Sequence, residues 1–413
     1  MVDKFVLSAL YFCKQEGGVM AQEINNSRML KKANRHLVLC TLRDSDALSV
    51  EELVQRTRLS RPTVLKLLGE LVEEGIAQKT GLGESMGGRQ PMLYALDLNR
   101  YFAVGVDFEF PPIRVVFSDL KGNIVFSKRW EQSYADSMED VSHAILSAIH
   151  EGLESLGISA GNVIGAGIGI PGLVDITENK PISVARMPGA KDIEISSLIE
   201  RDLGIKTFIR NDAHLLALAD RSAFAGVNKN MLYVAFRTGI GMAVYQKGAL
   251  YEGECGNSGY LGHTTFDKDG ALCTCGKRGC LELYCSKVTM CGQYAGKTGK
   301  KEEFRVILAE AADGKEPARQ IVQEAARCFG IAIANAVKLF DISLVVLGDL
   351  PYVENDLFLR TINNVVNDYV PYSRNGKITV RRGTVEEEAY ALGGSIFVLD
   401  QFFKTPKLRL NVQ

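Results

Sequence analysis

The sequence has no excess of charge of either sign, since 48 basic and 49 acidic residues leave a net charge of −1 over 413 residues. This balance excludes a chain coated in basic charge, although a local basic face on one small domain would not change the total. A hydrophobic run long enough to cross a bilayer is also missing, because the run Phe5 to Cys13 is short and meets Lys14 at once. We therefore expect a cytoplasmic protein without a membrane partner.

Cysteine is scarce, and neither an internal repeat nor a low-complexity tract is present. The nine cysteines are odd in number and concentrated in one region of a long chain, which favours reduced thiols and a metal site over a disulfide framework. A chain of this length is expected to form roughly three domains. Residues 1–30 carry no clear motif and are taken as an N-terminal extension.

Residues 31–97 have the pattern of three helices and a hairpin. Ser49 opens the second helix with Glu52 three residues on, which is the spacing of a capping box. Ser60 caps the third helix, in which one apolar stripe repeats at helical spacing: Val64, Leu67, Leu68, Leu71 and Val72. Gly75 ends that helix, and two short strands around a glycine-rich tip follow. This order predicts a winged helix-turn-helix domain.

The start of the third helix is the part of such a domain that enters the DNA major groove. Basic side chains there can bind guanine edges or phosphates. The candidate DNA-binding residues are Arg58, Ser60, Arg61, Pro62, Thr63, Lys66 and Arg89. The alternative is a solvated helical face in a protein-contact module, because residues 31–97 hold ten basic and nine acidic residues.

After Asp97 the pattern changes to alternating strands and helices. Three β-rich runs, "YFAVGVDF", "IRVVFSD" and "NIVFSKRW", predict an antiparallel meander. Further strands and helices alternate up to a closing helix expected over Val385 to Phe402. Alternation of this kind predicts α/β layers.

The stretch "HTTFDKDGALCTCGKRGC" has the composition of a metal site. His263, Cys273, Cys275 and Cys280 supply one imidazole and three thiolates, the closed ligand set of a structural, tetrahedral Zn(II). The ligand set leaves no position for water, so the zinc is expected to hold a loop in place. The alternative is a cluster of buried free thiols.

Residues 32–402 resemble the ROK family of repressors, open reading frames and kinases, and the N-terminal part resembles its repressor branch. The resemblance rests on "CTCGKRGCLE", which matches a Cys-x-Cys-Gly-x-x-Gly-Cys-x-Glu signature, and on "GYLGH", a variant of Gly-Glu-x-Gly-His. It implies an actin-like (ribonuclease H-like) ATPase-type fold of two α/β lobes with a sugar cleft between them. The first lobe is then expected over 98–210, completed by 387–405, and the second over 211–386 with the zinc loop.

The same resemblance implies the ligand-binding residues. Asn211, Asp212 and Glu282 match sugar-contacting positions of the family, and His263 would bind zinc through one ring nitrogen and face the sugar with the other. In the family's kinases the residue matching Asp212 is the base that takes a proton from the sugar hydroxyl. The alternative for Asn211 and Asp212 is a helix cap.

Three nucleotide-binding elements of the family's kinases are altered. "FEFPP" at 108–112 stands where a glycine-rich phosphate loop is expected, Arg237 replaces the first glycine of Gly-Thr-Gly, and Asp349 stands where glycine is usual. We therefore predict neither ATP binding nor phosphoryl transfer. Tyr260 replaces the glutamate of Gly-Glu-x-Gly-His and Arg186 stands in place of an asparagine. These changes favour a different or more anionic effector among sugars and sugar derivatives, for example a sugar phosphate or an acid sugar.

These expectations combine into a transcriptional regulator of carbohydrate metabolism, a repressor by resemblance. A homodimer or homotetramer would place two third helices on a DNA operator, and a bound sugar would control them. A ROK sugar kinase with an appended DNA-binding domain is the alternative. A DNA-binding protein that has lost its effector is a third reading of the same sequence.

Overall fold

The computed structural model describes residues 27–84, 90–109, 112–131, 138–185, 195–220, 230–370 and 377–404. The chain divides into two compact units. The first comprises Met1–Phe102, Asp119–Asn123 and Leu399–Gln413, and the second Ala103–Ser118 and Ile124–Val398, within the described ranges. None of the helices described is long and apolar enough to span a membrane.

The first unit contains the predicted winged helix-turn-helix. Its elements are α1 (Ser27–Arg43), β1 (Leu48–Ser49), α2 (Val50–Thr57), α3 (Arg61–Glu73), β2 (Ala77–Leu82) and β3 (Met92–Leu96). The strands form an antiparallel sheet in the order β1-β3-β2. The predicted apolar stripe of α3 is buried at Val64, Leu67, Leu68 and Leu71, so this helix packs with one face inward and the other outward.

Both predicted caps of this unit are present. The Ser49 side chain accepts from the Glu52 backbone N–H at 3.2 Å, and the Glu52 carboxylate accepts from the Ser49 N–H at 2.8 Å, so the capping box of α2 is complete. Ser60 accepts from the Thr63 N–H at the start of α3. Between the helices Arg58 adopts the left-handed conformation with φ of 58°, which makes the turn tight.

The second unit begins with the first lobe. Its elements are β4 (Phe102–Phe108), β5 (Ile113–Ser118), β6 (Ile124–Trp130), α4 (Met138–Leu156), β7 (Val163–Ile170), β8 (Gly172–Asp175), β9 (Lys180–Val184), α5 (Ile195–Leu203) and β10 (Thr207–Asn211). The five-stranded sheet has the order β10-β7-β4-β5-β6, with β4, β5 and β6 forming the predicted antiparallel meander. Strand β10 runs parallel to β7, which brings Asn211 level with Ile170 at one sheet edge.

The second lobe repeats this layering. Its elements are α6 (Asp212–Asp220), β11 (Met231–Phe236), β12 (Ile240–Gln246), β13 (Ala249–Tyr251), α7 (Glu282–Cys285), α8 (Lys287–Thr298), α9 (Phe304–Ala312), α10 (Ala318–Phe340), β14 (Leu344–Gly348), α11 (Leu357–Tyr369) and β15 (Thr379–Arg382). The closing helix α12 (Leu392–Lys404) follows these elements in the chain. The sheet has the order β13-β12-β11-β14-β15. Helix α10 is buried along most of its length against this sheet, and the tilted, closely packed rings of Phe236, Phe329 and Phe358 lie in the same core.

The prediction of the closing helix was wrong at its start. The structure begins α12 at Leu392, whereas the sequence pattern predicted Val385. A short 3₁₀ helix, Glu387–Ala389, precedes it. The Glu387 carboxylate is paired with Arg114 and, at 3.0 Å, with Arg129, so tertiary ion pairs hold this segment out of the helix that its local pattern favours.

Glycines allow α12 to lie directly on the first-lobe sheet. A Cβ added to Gly167 in β7 would lie 2.3 Å from the carbonyl oxygen of Gly394, and one added to Gly105 in β4 would lie 1.9 Å from that of Ala391. Both partners are backbone atoms, which have no rotamer by which to yield. The glycines of these two strands therefore set the distance between sheet and helix.

We expect Gly167→Ala to reduce the free energy of unfolding by more than about 2 kcal/mol, since overpacking against backbone forces α12 away from the sheet. Chemical denaturation of the full chain measures the change. Gly161→Ala is the matched control, because an added Cβ there meets only the Ser159 hydroxyl at 3.5 Å. Equal stabilities of the two variants would contradict the close sheet–helix contact.

Candidate functional site

The outward face of α3 carries the predicted DNA-binding side chains. Arg61, Pro62 and Lys66 are exposed and Thr63 is half-buried. Arg61 forms an ion pair with Glu51 of α2, with Nη2 and Nε at 2.9 and 3.1 Å from the same carboxylate oxygen. Both side chains are about 60% exposed, so this pair is worth little and Arg61 is available to another acceptor. Arg89 lies outside the described residues.

In the second unit, Asn211 and Asp212 lie where β10 passes into α6. Two hydrogen bonds fix the Asn211 side chain at the end of β10. Its amide N–H donates to the Gly172 carbonyl at 3.0 Å, and its oxygen accepts from the Ala213 N–H at 3.0 Å. The bond from Ala213 caps the start of α6. The side-chain oxygen of Asn211 therefore acts as a helix cap, which was the alternative considered for this residue. Asp212 is the first residue of α6 and shares the Arg237 guanidinium at 3.5 Å.

Arg237 is the centre of a buried ion network. It occupies the turn between β11 and β12 with its side chain only 4% exposed. Nη1 and Nη2 donate to the two oxygens of Asp107 at 2.7 and 2.9 Å, a bidentate pair. Nη2 and Nε also lie 2.9 and 3.1 Å from Glu109. Asp107 and Glu109 belong to the first lobe and Arg237 to the second, so this network joins the two lobes.

A second arginine extends the network. Arg114 on β5 is buried and donates to Asp107 at 3.0 Å and to Glu387. The Tyr390 ring lies 5.4 Å from both guanidinium carbons, Arg114 and Arg237, which adds cation–π contacts. We call Arg114, Arg237, Asp107, Glu109 and Glu387 the arginine cluster.

The arginine cluster determines the ionisation of its members. Burial opposes the charge on Arg237, but Asp107 and Glu109 raise the pKa of its guanidinium well above the usual range. Burial also opposes ionisation of Glu109, yet Arg237 and Thr238 hold the pKa of that carboxyl below its usual value. Asp212 differs, because burial raises its pKa to about 6 and the opposing attraction of Arg237 only partly offsets the cost. The pKa of Asp212 is therefore closer to neutral pH than that of an ordinary carboxyl group.

The turn that carries Arg237 also approaches Glu282. Thr238 donates from its N–H to Glu109 at 3.2 Å, and its hydroxyl contacts the same oxygen. One residue on, a Cβ added to Gly239 would lie 3.6 Å from Glu282 Oε2. The turn Arg237–Gly239 thus contacts Asp212 through Arg237 and passes close to Glu282 through Gly239, so two of the sequence-predicted residues lie near this turn.

Asp349 is held by a second set of polar contacts. It adopts the left-handed conformation with φ of 57°. Lys287 donates to its carbonyl at 2.8 Å and to its carboxylate at 2.7 Å, and the Tyr390 hydroxyl donates to the other carboxylate oxygen at 2.7 Å. Because Tyr390 also lies against the arginine cluster, the two groups of charges are continuous.

His263, Cys273, Cys275 and Cys280 form a compact cluster whose ligand atoms all lie within 4.8 Å of one another. His263 Nδ1 lies 3.6 Å from Cys273 Sγ, and Cys275 Sγ lies 3.5 Å from Cys280 Sγ. Ligand atoms on a tetrahedral zinc, bound at about 2.0–2.3 Å, are separated by about 3.4–3.8 Å. Two of the pairs have this separation and all four ligand atoms lie close together, so the cluster could hold a metal ion.

The backbone around the cluster explains its glycines. Gly276 and Gly279 have φ of 81° and 64°. A Cβ added to Gly279 would lie 1.5 Å from the Asp267 carbonyl oxygen, so no other residue fits there. The Thr265–Cys280 and Leu272–Arg278 bridges fold the loop back on itself. The loop is shaped to bring the four side chains together.

Three side chains stand beside this cluster. Glu282 at the start of α7 lies 3.2 Å from Cys273 Sγ and 3.4 Å from His263 Nδ1. Tyr260 is half-exposed and its ring lies 4.5 Å from the His263 imidazole at an angle of 31°. Arg186 lies outside the described residues.

The sequence singled out Arg237 and Asp349 but did not predict the ion network around Arg237. Asp107, Glu109, Arg114 and Glu387 come together only in the folded chain, because Asp107 and Arg237 are 130 positions apart. In the sequence, Asp107 follows the apolar residues of a predicted strand. A carboxylate buried with such a strand needs a charged partner, and this was the signal that could have pointed to the ion network.

The fold and these sites define a protein with a winged helix-turn-helix head and a two-lobed, actin-like α/β region that includes a Cys/His cluster. The sequence model of the ROK family matches residues 103–401, and the chain belongs to this family. The xylose repressor of Bacillus subtilis is 28% identical over 381 residues, covering 92% of this chain and 98% of the relative.

Two solved structures share the fold. A ROK family transcriptional regulator, described as a homologue of the Escherichia coli MLC protein, has a TM-score of 0.73 at 20% identity and covers 91% of this chain and 97% of its own. The ROK hexokinase of Thermus thermophilus has a TM-score of 0.60 at 27% identity and covers 72% of this chain and 97% of its own. The hexokinase match is confined to less of the chain than the regulator match.

Asp212 is expected to make stability depend on pH. Because its pKa is about 6 in the folded state and near 4 when unfolded, the folded protein holds more protons in this interval, and its free energy of unfolding falls as pH rises from about 4 to 6. Asp212→Asn should show a smaller fall in melting temperature between pH 4.5 and 7. Asp313→Asn, at an exposed carboxylate, is the control and should follow the wild type. Parallel curves for all three proteins would contradict the raised pKa.

Proposed function

We propose that the chain is a DNA-binding transcriptional regulator of carbohydrate-metabolism genes, a repressor whose effector is a sugar or sugar derivative. One observation supports the proposal most directly. The same chain has an exposed helix face that bears Arg61 and Lys66, and a ROK region in which Arg237 occupies the β11–β12 turn, where the family's kinases have Gly-Thr-Gly. The Bacillus subtilis relative that covers nearly the whole chain is named as a xylose repressor.

The winged head supports binding to double-stranded DNA. Helices α2 and α3 are capped at their starts, and α3 presents Arg61 and Lys66 in its first turns. Arg61 and Lys66 would contact base edges or phosphates, Arg58 and Arg89 would contact phosphates, and Ser60, Pro62 and Thr63 would set the approach of the helix. A homodimer or homotetramer would present two such heads to a palindromic operator.

The polar surface around the turn Arg237–Gly239 supports a sugar site. Asn211, Asp212, His263 and Glu282 offer acceptors and donors that suit a ligand rich in hydroxyls, and Tyr260 would place an apolar ring beside them. The expectation of an anionic effector depends on Arg186 and Tyr260, and it stays a prediction.

The arginine cluster supports a protein without kinase activity. A phosphate loop needs free backbone N–H groups, yet the Thr238 N–H is already bonded to Glu109. The Arg237 side chain, held by Asp107 and Glu109, also fills the turn at which a phosphate would have to bind. Asp212, whose neighbour is Arg237, would then serve as a hydrogen-bonding group for the sugar. A sugar kinase with an appended head remains the competing function that the experiment below tests.

DNA binding is tested with duplexes from the region upstream of the protein's own gene, at one fixed salt concentration for all variants. We expect Arg61→Ala to relax base preference by about 1–3 kcal/mol at its contacted base pair. Arg58→Asn, chosen because asparagine tolerates the left-handed backbone at φ of 58°, should weaken binding to all sequences about equally. Glu51→Ala is the control, since it releases Arg61 and should leave binding equal or tighter.

The same preparations are then titrated with pentoses, hexoses, their phosphates and acid sugars. One ligand class should release the operator, and no sugar should stimulate ATP hydrolysis. Sugar-dependent ATP hydrolysis would support the kinase instead, and operator binding unaffected by both arginine substitutions would place the DNA-binding face elsewhere.

For the Cys/His cluster we propose a structural Zn(II) bound by His263 Nδ1 and the thiolates of Cys273, Cys275 and Cys280. Bound zinc would hold the loop that carries His263 next to Glu282, with binding energy expressed partly as folding energy. The four-ligand set leaves no open position, which suits a structural ion.

We expect the purified protein to contain one zinc ion per chain by elemental analysis. Cys280→Ser should lose the zinc and lower the melting temperature by about 5 °C or more, because the loop loses its crosslink. Cys291→Ser, a nearby half-buried thiol outside the cluster, should retain both zinc and stability. A Cys280→Ser protein with unchanged metal content would overturn the assignment.

A further inference from the structure

The outward face of α3 continues beyond its basic start. Besides Arg61, Pro62 and Lys66, the exposed residues in its next two turns are Leu65 and Gly69. Arg61, Leu65 and Gly69 are four residues apart in turn, so they follow one another on neighbouring turns of the helix surface. Gly69 lies on the side of α3 away from the buried stripe of Val64, Leu67, Leu68 and Leu71, and Leu65 and Arg61 lie between Gly69 and the edge of that stripe.

Gly69 is a glycine that the described fold does not require. Its backbone is helical, and a Cβ added there would meet nothing within 4 Å. Gly75, two residues past the end of α3, contrasts with it, because φ of 69° and the Arg100 side chain both exclude a Cβ there. Glycine inside a helix is less stable than alanine. Compared with alanine, glycine at position 69 therefore lowers the stability of α3, and no packing contact among the described residues requires it.

The position of Gly69 along the helix suggests what could approach the helix backbone at this residue. Arg61 and Gly69 are eight residues apart, which is about 12 Å along a helix axis. The major groove of B-DNA is also about 12 Å wide. If α3 runs across the groove with Arg61 at the base edges, Gly69 would reach the sugar–phosphate wall, where a bare helix backbone allows the closest approach.

Leu65 lies midway between these two positions and is 41% exposed. An exposed leucine by itself is ordinary on a protein surface. Here it stands between Arg61 and Gly69 on the face that carries Lys66, in a part of the helix that would lie over base edges. The apolar group that DNA offers in the major groove is the C5 methyl of thymine.

We propose that Leu65 and Gly69 are DNA-contacting residues: Leu65 packs on a thymine methyl in the major groove, and Gly69 admits the sugar–phosphate backbone against α3. The inference rests on the proposed DNA-binding function and adds two specificity and affinity determinants to it. It also accounts for an apolar and a side-chain-free position within an otherwise polar helix face.

The Leu65 contact is tested with a duplex selected from a randomised 30-base-pair library by the full-length protein. Each thymine of the selected site is replaced in turn by deoxyuridine, which lacks only the C5 methyl. One replacement should weaken wild-type binding about fourfold, the effect of one buried methyl group. The same replacement should have no effect on Leu65→Ala. If every replacement is neutral for the wild type, or if Leu65→Ala stays equally sensitive, the contact does not exist.

The Gly69 contact is tested by Gly69→Ala in the full-length protein. Amide hydrogen exchange in α3 should slow about two- to fivefold, since alanine stabilises the helix, whereas the dissociation constant for DNA should rise roughly fivefold or more for all sequences. The matched control is Gly292→Ala, an exposed glycine of α8 that also has nothing within 4 Å. It should slow exchange in α8 and leave DNA binding unchanged.

The outcomes separate this inference from the proposed function. Unchanged DNA affinity of Gly69→Ala, or unslowed exchange in α3, overturns the role of Gly69 even while Arg61→Ala alters base preference. If the wild type selects no sequence from the library and Arg61→Ala changes nothing, the proposed function fails and takes the inference with it.

Discussion

The structure of the ROK region depends on one buried cation, the guanidinium of Arg237. Its bidentate pair with Asp107 and its bonds to Glu109 join the end of strand β4 in one lobe to the β11–β12 turn in the other. Placing these charges in the interior costs desolvation, and the cost is offset only because each group has several well-aligned partners. Removing one partner would leave an unpaired buried charge, so Arg114, Arg237 and their carboxylates are mutually dependent.

Two rigid anchors follow from this network and the Cys/His cluster. The turn held by Arg237 contacts Asp212 and approaches Glu282, and Glu282 lies against Cys273 and His263. The proposed sugar-binding residues are thus fixed from one side by ion pairs and from the other by a loop shaped for a metal. Side chains positioned in this way lose little conformational freedom when a ligand binds, which favours affinity.

Local features were predictable from the sequence, and long-range polar contacts were not. The caps at Ser49 and Ser60, the wing and the Cys/His spacing are written in a few neighbouring residues, and the structure has each of them. The partners of Arg237 depend on which strand ends meet across the two lobes, which no local pattern encodes. The late start of α12 has the same cause, because Glu387 is taken by arginines from distant strands.

The ion pairs of Arg237 also suggest how a fold shared with kinases would act as a sugar sensor under the proposed function. A ligand shifts a conformational equilibrium only by the difference between its affinities for the two states. Under the proposed function, the ion pairs of Arg237 with Asp107 and Glu109 would take the place of a bridging nucleotide between the two lobes. Under the proposed function, the sugar is then the variable ligand at this cleft. Its contacts with Asp212, on the Arg237 side, and with Glu282, on the metal-loop side, would decide which arrangement of the lobes is favoured.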